Sequence, residues 1–402
     1  MNLLSWTFLV FSALSVTIYW ALRSPRLRQF ALVGATVVWF AFGVWWHAVV
    51  AVAMATTTHL FGRWMMARPE DKRGLVCALG IASFIGYFIL FRYLALWTGY
   101  DPAAGVGLRW WLPNPVLAPL GLSFMMFEGT AHLADLYLGR TENPGSWWSH
   151  VVFNLFFPTR VIGPMRRYED FTRDITAPER LNPDDVAWAA RRILLGVGKK
   201  ALLANPLGAF ALFNLHPALI AAGARAPLML GAAMYWLYLF FDLSGYSDIV
   251  IGISRLFGVK VSENFNRPYL ADNISDYWQR WHISLSAWVR DYVFNPLAIR
   301  WRGWTYGAPM AAFSSMLILG LWHGLELRYL IFGAWHGALL AGYMVYRQLF
   351  GRKPWAKRLA KSRAWSFAGW CFVVLNAVLS HMLFAVPTAA LGVRWFRVVT
   401  GI

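Results

Sequence analysis

The chain is poor in cysteine and poor in charge. Its 402 residues include two cysteines, Cys77 and Cys371, both inside apolar runs. A disulfide framework or a thiolate metal site needs more ligands at polar positions, so both are excluded and no metal centre is expected. Charged residues make up 14% of the chain against 58% hydrophobic and 17% aromatic, and the mean hydropathy is +0.46. These values exclude a disordered chain and an ordinary soluble domain, and they predict an integral membrane protein. Acidic residues are the scarcer sign: 19 Asp and Glu against 37 Lys and Arg leave a net charge of +18. No basic stripe interleaved with base-stacking aromatics accompanies that charge, so nucleic acid is not an expected partner. The bases gather instead in short connectors, as retention on the cytoplasmic side produces, and 24 Trp and 16 Tyr suit interfacial belts. Internal repeats, low-complexity tracts and a soluble domain boundary are also lacking, so residues 1–402 read as one multi-span domain in the bilayer. The basic group Arg23, Arg26 and Arg28 follows the first apolar stretch without a small-residue cleavage site, so residues 3–22 read as a span rather than a signal.

A helix needs about 20 apolar residues to cross the hydrocarbon. Charge-free runs, with basic loops kept on one side, predict spans over residues 3–22, 75–97, 116–138, 201–222, 228–254, 303–325, 329–346 and 364–386. The long run 29–62 splits near Trp45, Trp46 and His47 into two more. The result is an all-α polytopic fold of about ten transmembrane helices, with both termini outside, an outer loop over 98–115 and the basic loop 347–363 in the cytoplasm. Residues 147–164 are apolar but proline-broken, and 166–200 are charge-dense, which reads as a re-entrant element followed by a cytoplasmic segment. Irregular backbone at membrane depth survives only where protein or a water cavity satisfies it, so this region hints at a buried site.

Four segments carry possible chemistry. Read as one helix, residues 272–292 place Trp278, Trp281, Leu285, Trp288 and Tyr292 on an apolar face, with Asp276, Gln279, Arg280, Arg290 and Asp291 opposite. His282 stands at the edge of that face, as an interfacial imidazole or a functional one. His323 lies between Trp322 and Gly324 in a run without charge from Gly303 to Leu325. An ionisable group there is expensive, and a neutral imidazole can take a proton from a hydroxyl; the alternative is a helix-packing histidine. Asp242, Ser244, Tyr246, Ser247 and Asp248 sit within an apolar span and must face a cavity or each other, as a polar tunnel or a hydrogen-bonded knot. Asn264, Asn266 and Arg267 form a turn dense in amides, which reads as a loop anchored by side-chain hydrogen bonds.

The runs FFDLSGYSDIVIGISRLFG, ENFNRPYLADNISDYWQRWHISLSAWVRDYVFNPL, LGLWHG and GAWHGALL, with LGLSFMMFEGTAHLADLYLG and FFPTRVIGPMRRYEDF upstream, resemble the membrane-bound O-acyltransferase (MBOAT) family. Within it they resemble the bacterial branch of alginate O-acetylation and teichoic-acid D-alanylation membrane proteins, most strongly over residues 116–346. The resemblance implies a multi-span enzyme with a funnel, in which a cytoplasmic acyl thioester meets an acceptor from the outer side. The invariant histidine of the family would be His323, as general base, and its second histidine His282, placing the thioester or sharing in proton movement. Asp242 to Asp248 and the Asn264 turn are candidate funnel residues. So are Trp278, Arg280, Trp281, Ser284, Arg290, Asp291 and Trp322.

Implied co-substrates are acetyl-coenzyme A or a phosphopantetheinyl carrier protein, with no tightly bound cofactor. Implied partners are a polysaccharide acceptor and an outer-side or membrane-anchored acyltransferase, in a bacterial inner membrane. Transfer of acetyl to polysaccharide hydroxyls is the leading expectation. D-alanyl transfer to teichoic acid is the alternative, and a multi-span transporter is the competing class, for which no inverted repeat speaks.

Overall fold

The computed structural model describes residues 5–41, 46–98, 121–160, 163–176, 180–214, 217–386 and 388–401, and among them there are helices and no strand. They form two compact units, Met1–Leu194 with Tyr246–Ser262, and Leu195–Gly245 with Glu263–Ile402.

The first unit carries the helices Trp6–Ala21, Pro25–Ala41, Trp46–Met66, Glu70–Thr98 and Leu122–Tyr137. Ser5 caps the first of them, its hydroxyl accepting from the Phe8 amide at 3.2 Å. The run 29–62 divides as expected, one helix ending at Ala41 and the next beginning at Trp46; residues 42–45 lie outside the described residues. So do 99–120, which hold nearly all of the expected outer loop and the start of the span at 116. The apolar segment from 147 is a short helix, Trp147–Asn154, followed by a 3-10 turn, Phe157–Thr159, where Pro158 stops the helical ladder.

Behind that turn lies a buried ion cluster. Arg160 donates to Glu128 at 2.9 Å, and the Arg166 Nε donates to the same carboxylate at 3.3 Å. The Arg166 guanidinium sits 4.6 Å from the Phe153 ring centre and 4.7 Å from that of Phe171. One carboxylate between two guanidinium groups, with aromatic faces against one of them, makes burial of these charges tolerable.

The sequence placed a span at 201–222 after a cytoplasmic segment. The helix instead begins at Pro183, continues through a π-helical stretch at Lys199–Ala204 and runs to Asn214. Its residues Pro183–Ala211 are apolar and long enough to cross a membrane, as are Glu70–Phe91, Arg225–Leu256 and Arg363–Ala385. The reason is local neutralisation: Arg192 donates to Asp248 at 2.7 Å, and Lys200 pairs with Asp242. Bases that look like a solvated run are counterions to acids of the helix Arg225–Leu256.

In the second unit, Gly307–His323 and Leu327–Phe350 form a helical hairpin closed by glycine. A Cβ on Gly320 would stand 2.4 Å from the Tyr329 carbonyl oxygen, and one on Gly333 2.5 Å from that of Met316. Only hydrogen fits at either position, so the backbones meet directly, as in small-residue packing between membrane helices. The helix Arg363–Ala385 is capped by Ser362 and tied to the turn Pro268–Leu270 by Trp370, whose Nε1 donates to the Tyr269 carbonyl at 2.8 Å. A final amphipathic helix, Ala389–Thr400, lies beyond the last expected span.

Candidate active site

Residues 272–292 are not one helix. Ile274–Arg280, capped by Asn273, ends at an extended Trp281, and Ile283–Val289 starts after His282, whose φ is 45°. A π-helical stretch, Arg290–Phe294, follows. The break is held from outside. The buried Asn264 accepts from the Ile283 amide at 2.8 Å through its carbonyl, and from the Ser284 hydroxyl at 2.9 Å through its side chain. The Asn266 amide donates to the Arg280 carbonyl at 2.9 Å. Arg267, with φ 47°, turns the loop into Pro268–Leu270. A left-handed residue without glycine is uncommon and here sits beside the histidine that the sequence singled out.

The bend changes which side chains are covered. Trp278, Trp281 and Leu285 are buried, whereas Trp288 and Tyr292 are half-buried and Gln279 and Arg290 exposed. Arg280 pairs with Asp276 at 2.8 Å and Arg290 with Asp291 at 2.9 Å. His282 is half-buried, with its ring 6.1 Å from that of Phe265. Burial pushes its imidazole down to about 4, so it is neutral near pH 7.

His323 ends the helix Gly307–His323. Its ring is edge-on to Phe384 at 4.8 Å and lies 5.9 Å from Tyr329 and 4.5 Å from Trp322. Aromatic contacts lead from it toward His282: Phe384 to His381 at 6.1 Å, His381 to Trp281 at 5.0 Å, and Trp281 is the neighbour of His282. Between them stand two buried histidines that sequence reasoning did not single out. His336 Nε2 lies 2.8 Å from Ser380 Oγ, and His381 Nδ1 lies 2.8 Å from the Ala377 carbonyl oxygen. The signal was present for His336, which like His323 sits beside glycine in an apolar run, within GAWHGALL.

A cavity of about 1210 Å³ opens beside this cluster, lined by Trp278, Ser286 and Arg290 on one side and by Ser315 and Leu319 on another. Arg347 and Arg352 also line it, and both are exposed. Leu319 stands one helical turn before His323. The arrangement offers a chamber of mixed apolar and polar lining, guanidinium groups where it meets solvent and an imidazole one turn away. A phosphate-bearing molecule with an extended apolar arm matches that pattern of charge and volume.

The residues of the 240–248 segment are placed otherwise. Asp242 and Asp248 are taken up by Lys200 and Arg192. Ser244, Tyr246 and Ser247 are buried, and none of the five lines the cavity. What the structure shows of this segment is two acids held by bases of the preceding helix.

Comparison with known sequences adds an independent line. A model of the MBOAT, membrane-bound O-acyltransferase family, matches residues 150–386, more than half of the chain and all of the site described above. The chain is 31% identical over 322 residues to the probable alginate O-acetylase AlgI of Pseudomonas aeruginosa, covering 77% of this chain and 59% of that protein. It is 28% identical over 323 residues to the teichoic acid D-alanyltransferase of Bacillus subtilis, covering 77% of this chain and 78% of that protein. A peptidoglycan O-acetyltransferase of Helicobacter pylori is 27% identical over 305 residues, 68% of this chain and 55% of its own. The matched part of the chain thus spans about three fifths of the alginate O-acetylase.

Proposed function

Because the chain belongs to the membrane-bound O-acyltransferase family, we propose that it moves an acyl group, acetyl first, from a thioester donor to hydroxyls of an exported or cell-surface polysaccharide. The transfer is direct or finished by a partner on the outer side. The observation that carries this reading is the cavity of about 1210 Å³ with exposed arginines at its rim and its wall one turn from His323. Arg290, Arg347 and Arg352 suit the phosphates of coenzyme A or of a phosphopantetheinyl carrier protein, and the chamber suits the pantetheine arm.

In the proposed reaction His323, neutral, takes the proton of the acceptor hydroxyl as its oxygen attacks the thioester carbonyl carbon. The carbon–sulfur bond breaks as the tetrahedral adduct collapses, and the imidazolium returns the proton to the leaving thiolate. A positioned base of this kind accelerates such steps by about 10²–10⁴-fold. His282 is proposed to support the donor side rather than to move the proton. The setting is a bacterial cytoplasmic membrane, with the basic loop 347–363 facing the cytoplasm.

D-alanyl transfer to an envelope polymer is the second reading, favoured by the Bacillus subtilis relative, which the match covers most fully of the three described. Membranes containing the chain, supplied with radiolabelled acetyl-coenzyme A or with D-alanyl carrier protein, decide between them. Alkali-labile acetyl in polysaccharide supports the first and labelled alanine the second. Absence of both labels refutes acyl transfer.

A further inference from the structure

We propose that His336 is a positioning residue for the acyl donor, acting through Trp278 and Phe332; the inference rests on the function proposed above. His336 is fully buried on the helix Leu327–Phe350. Its Nε2 lies 2.8 Å from Ser380 Oγ, and the same hydroxyl donates to the Ala377 carbonyl at 3.2 Å. Whichever of the two atoms carries the proton, the bond fixes the plane of the imidazole. The other ring nitrogen, Nδ1, is buried and has no hydrogen-bond partner among the described residues.

Three rings surround the imidazole. Trp278 meets it edge-on at 5.2 Å and 86°, Phe332 lies at 4.6 Å, and Tyr277 is nearly parallel at 6.4 Å. Two of these neighbours face the chemistry. Trp278 is a wall of the cavity, and Phe332 touches the ring of His323 at 6.1 Å. An imidazole held by Ser380 stands directly behind Trp278 and keeps that wall in one register, with Phe332 between it and His323. Supporting groups whose own rotamers are fixed by a hydrogen bond are what keep a reacting geometry tight. Packing alone would need only the volume of the ring; the Ser380 bond adds a fixed orientation.

The test uses the full chain in detergent, with unfolding temperature and steady-state acetyl transfer from acetyl-coenzyme A measured for His336→Phe, His336→Gln and Ser380→Ala. His336→Phe is expected to raise the KM for the donor about three- to tenfold while kcat stays within about twofold, because it loosens the wall without removing the base. His336→Gln, whose amide can donate to Ser380, recovers most of that KM. Ser380→Ala reproduces a smaller rise, and it decides by the same split if His336→Phe does not fold.

Unchanged KM in folded variants, or a fall in unfolding temperature with both constants unaltered, overturns the inference while leaving the enzyme reading intact. A wild-type chain that transfers neither acetyl nor D-alanyl overturns the function itself, and this inference with it.

Discussion

The two units bury polarity in different ways. In the unit Met1–Leu194 with Tyr246–Ser262, buried side chains include the ions Arg28, Glu128, Asp135, Arg160, Arg166, Asp174 and Asp248 beside the histidines His47, His132 and His150. In the other unit the buried polar side chains among the described residues are Ser244, Asn264, Ser284, Ser315, His336, Ser380 and His381, with no carboxylate, lysine or arginine among them. Buried ions answer each other, as Glu128 does Arg160 and Arg166. Neutral imidazoles beside a cavity keep a lone pair that can receive a proton. A charge inside an apolar run is therefore a weaker mark of chemistry in this chain than an uncharged histidine.

The contrast can be broken at its strongest point first. His323→Ala should lower acyl transfer about 10²–10⁴-fold, the usual contribution of a positioned base, with normal membrane yield. Acetyl incorporation normalised to immunoblotted protein measures it, and wild-type activity would remove the distinction. Glu128→Ala should do the reverse: folded yield falls because two buried guanidinium groups lose their carboxylate, a loss of about 3–5 kcal/mol, while surviving protein keeps its activity per molecule. Size-exclusion recovery after heating checks this.

Trp278→Ala should lose a similar amount, about 3–5 kcal/mol, and the half-buried Trp288 less. Equal recovery of the two variants would mean that the bend at His282 does not control burial. The next effect is one of pH. The His282 imidazole in the folded chain stays neutral down to about 4, whereas an unfolded histidine takes up its proton near 6.5. Its contribution to stability is therefore complete above pH 6.5 and is lost progressively as pH falls toward 4. His282→Asn, which tolerates the left-handed backbone, should flatten that part of the unfolding-temperature profile; an unchanged slope would place the titration elsewhere. Smallest of all, Arg280→Ala should change stability by no more than about 1 kcal/mol, since its pair with Asp276 is partly exposed.

Of the expected spans, four correspond to described helices long and apolar enough to cross a membrane, one of them, Pro183–Ala211, with a different start; the family was legible in RWHISLSAWVRDY and LWHG. The bend at Trp281 and His282 was hidden for a physical reason. Apolar residues at three- and four-residue spacing continue across it, and the groups that force it, Asn264 and Asn266, lie some twenty residues upstream. The role of Arg192 and Lys200 was hidden likewise, since a base paired with an acid of another helix looks in sequence like a solvated base. The buried pairing of Glu128 with Arg160 and Arg166 depends on tertiary contact alone. His336 has sequence surroundings like those of His323, but a histidine in mid-helix reads equally as helix packing until its contacts with Ser380 and Trp278 are seen.

The glycine-closed hairpin sets a limit on timing. Gly320 is three residues before His323, and its backbone is pressed against Tyr329 with no room for even a methyl group. The turn that carries His323 cannot slide or rotate against its neighbour without the whole hairpin moving. What freedom remains is rotation of the imidazole about its own bonds, between the rings of Trp322, Tyr329 and Phe384. Under the function proposed above, the pace of the cycle would then fall to the passage of bulky donor and acceptor in and out rather than to any shift of the backbone that carries His323.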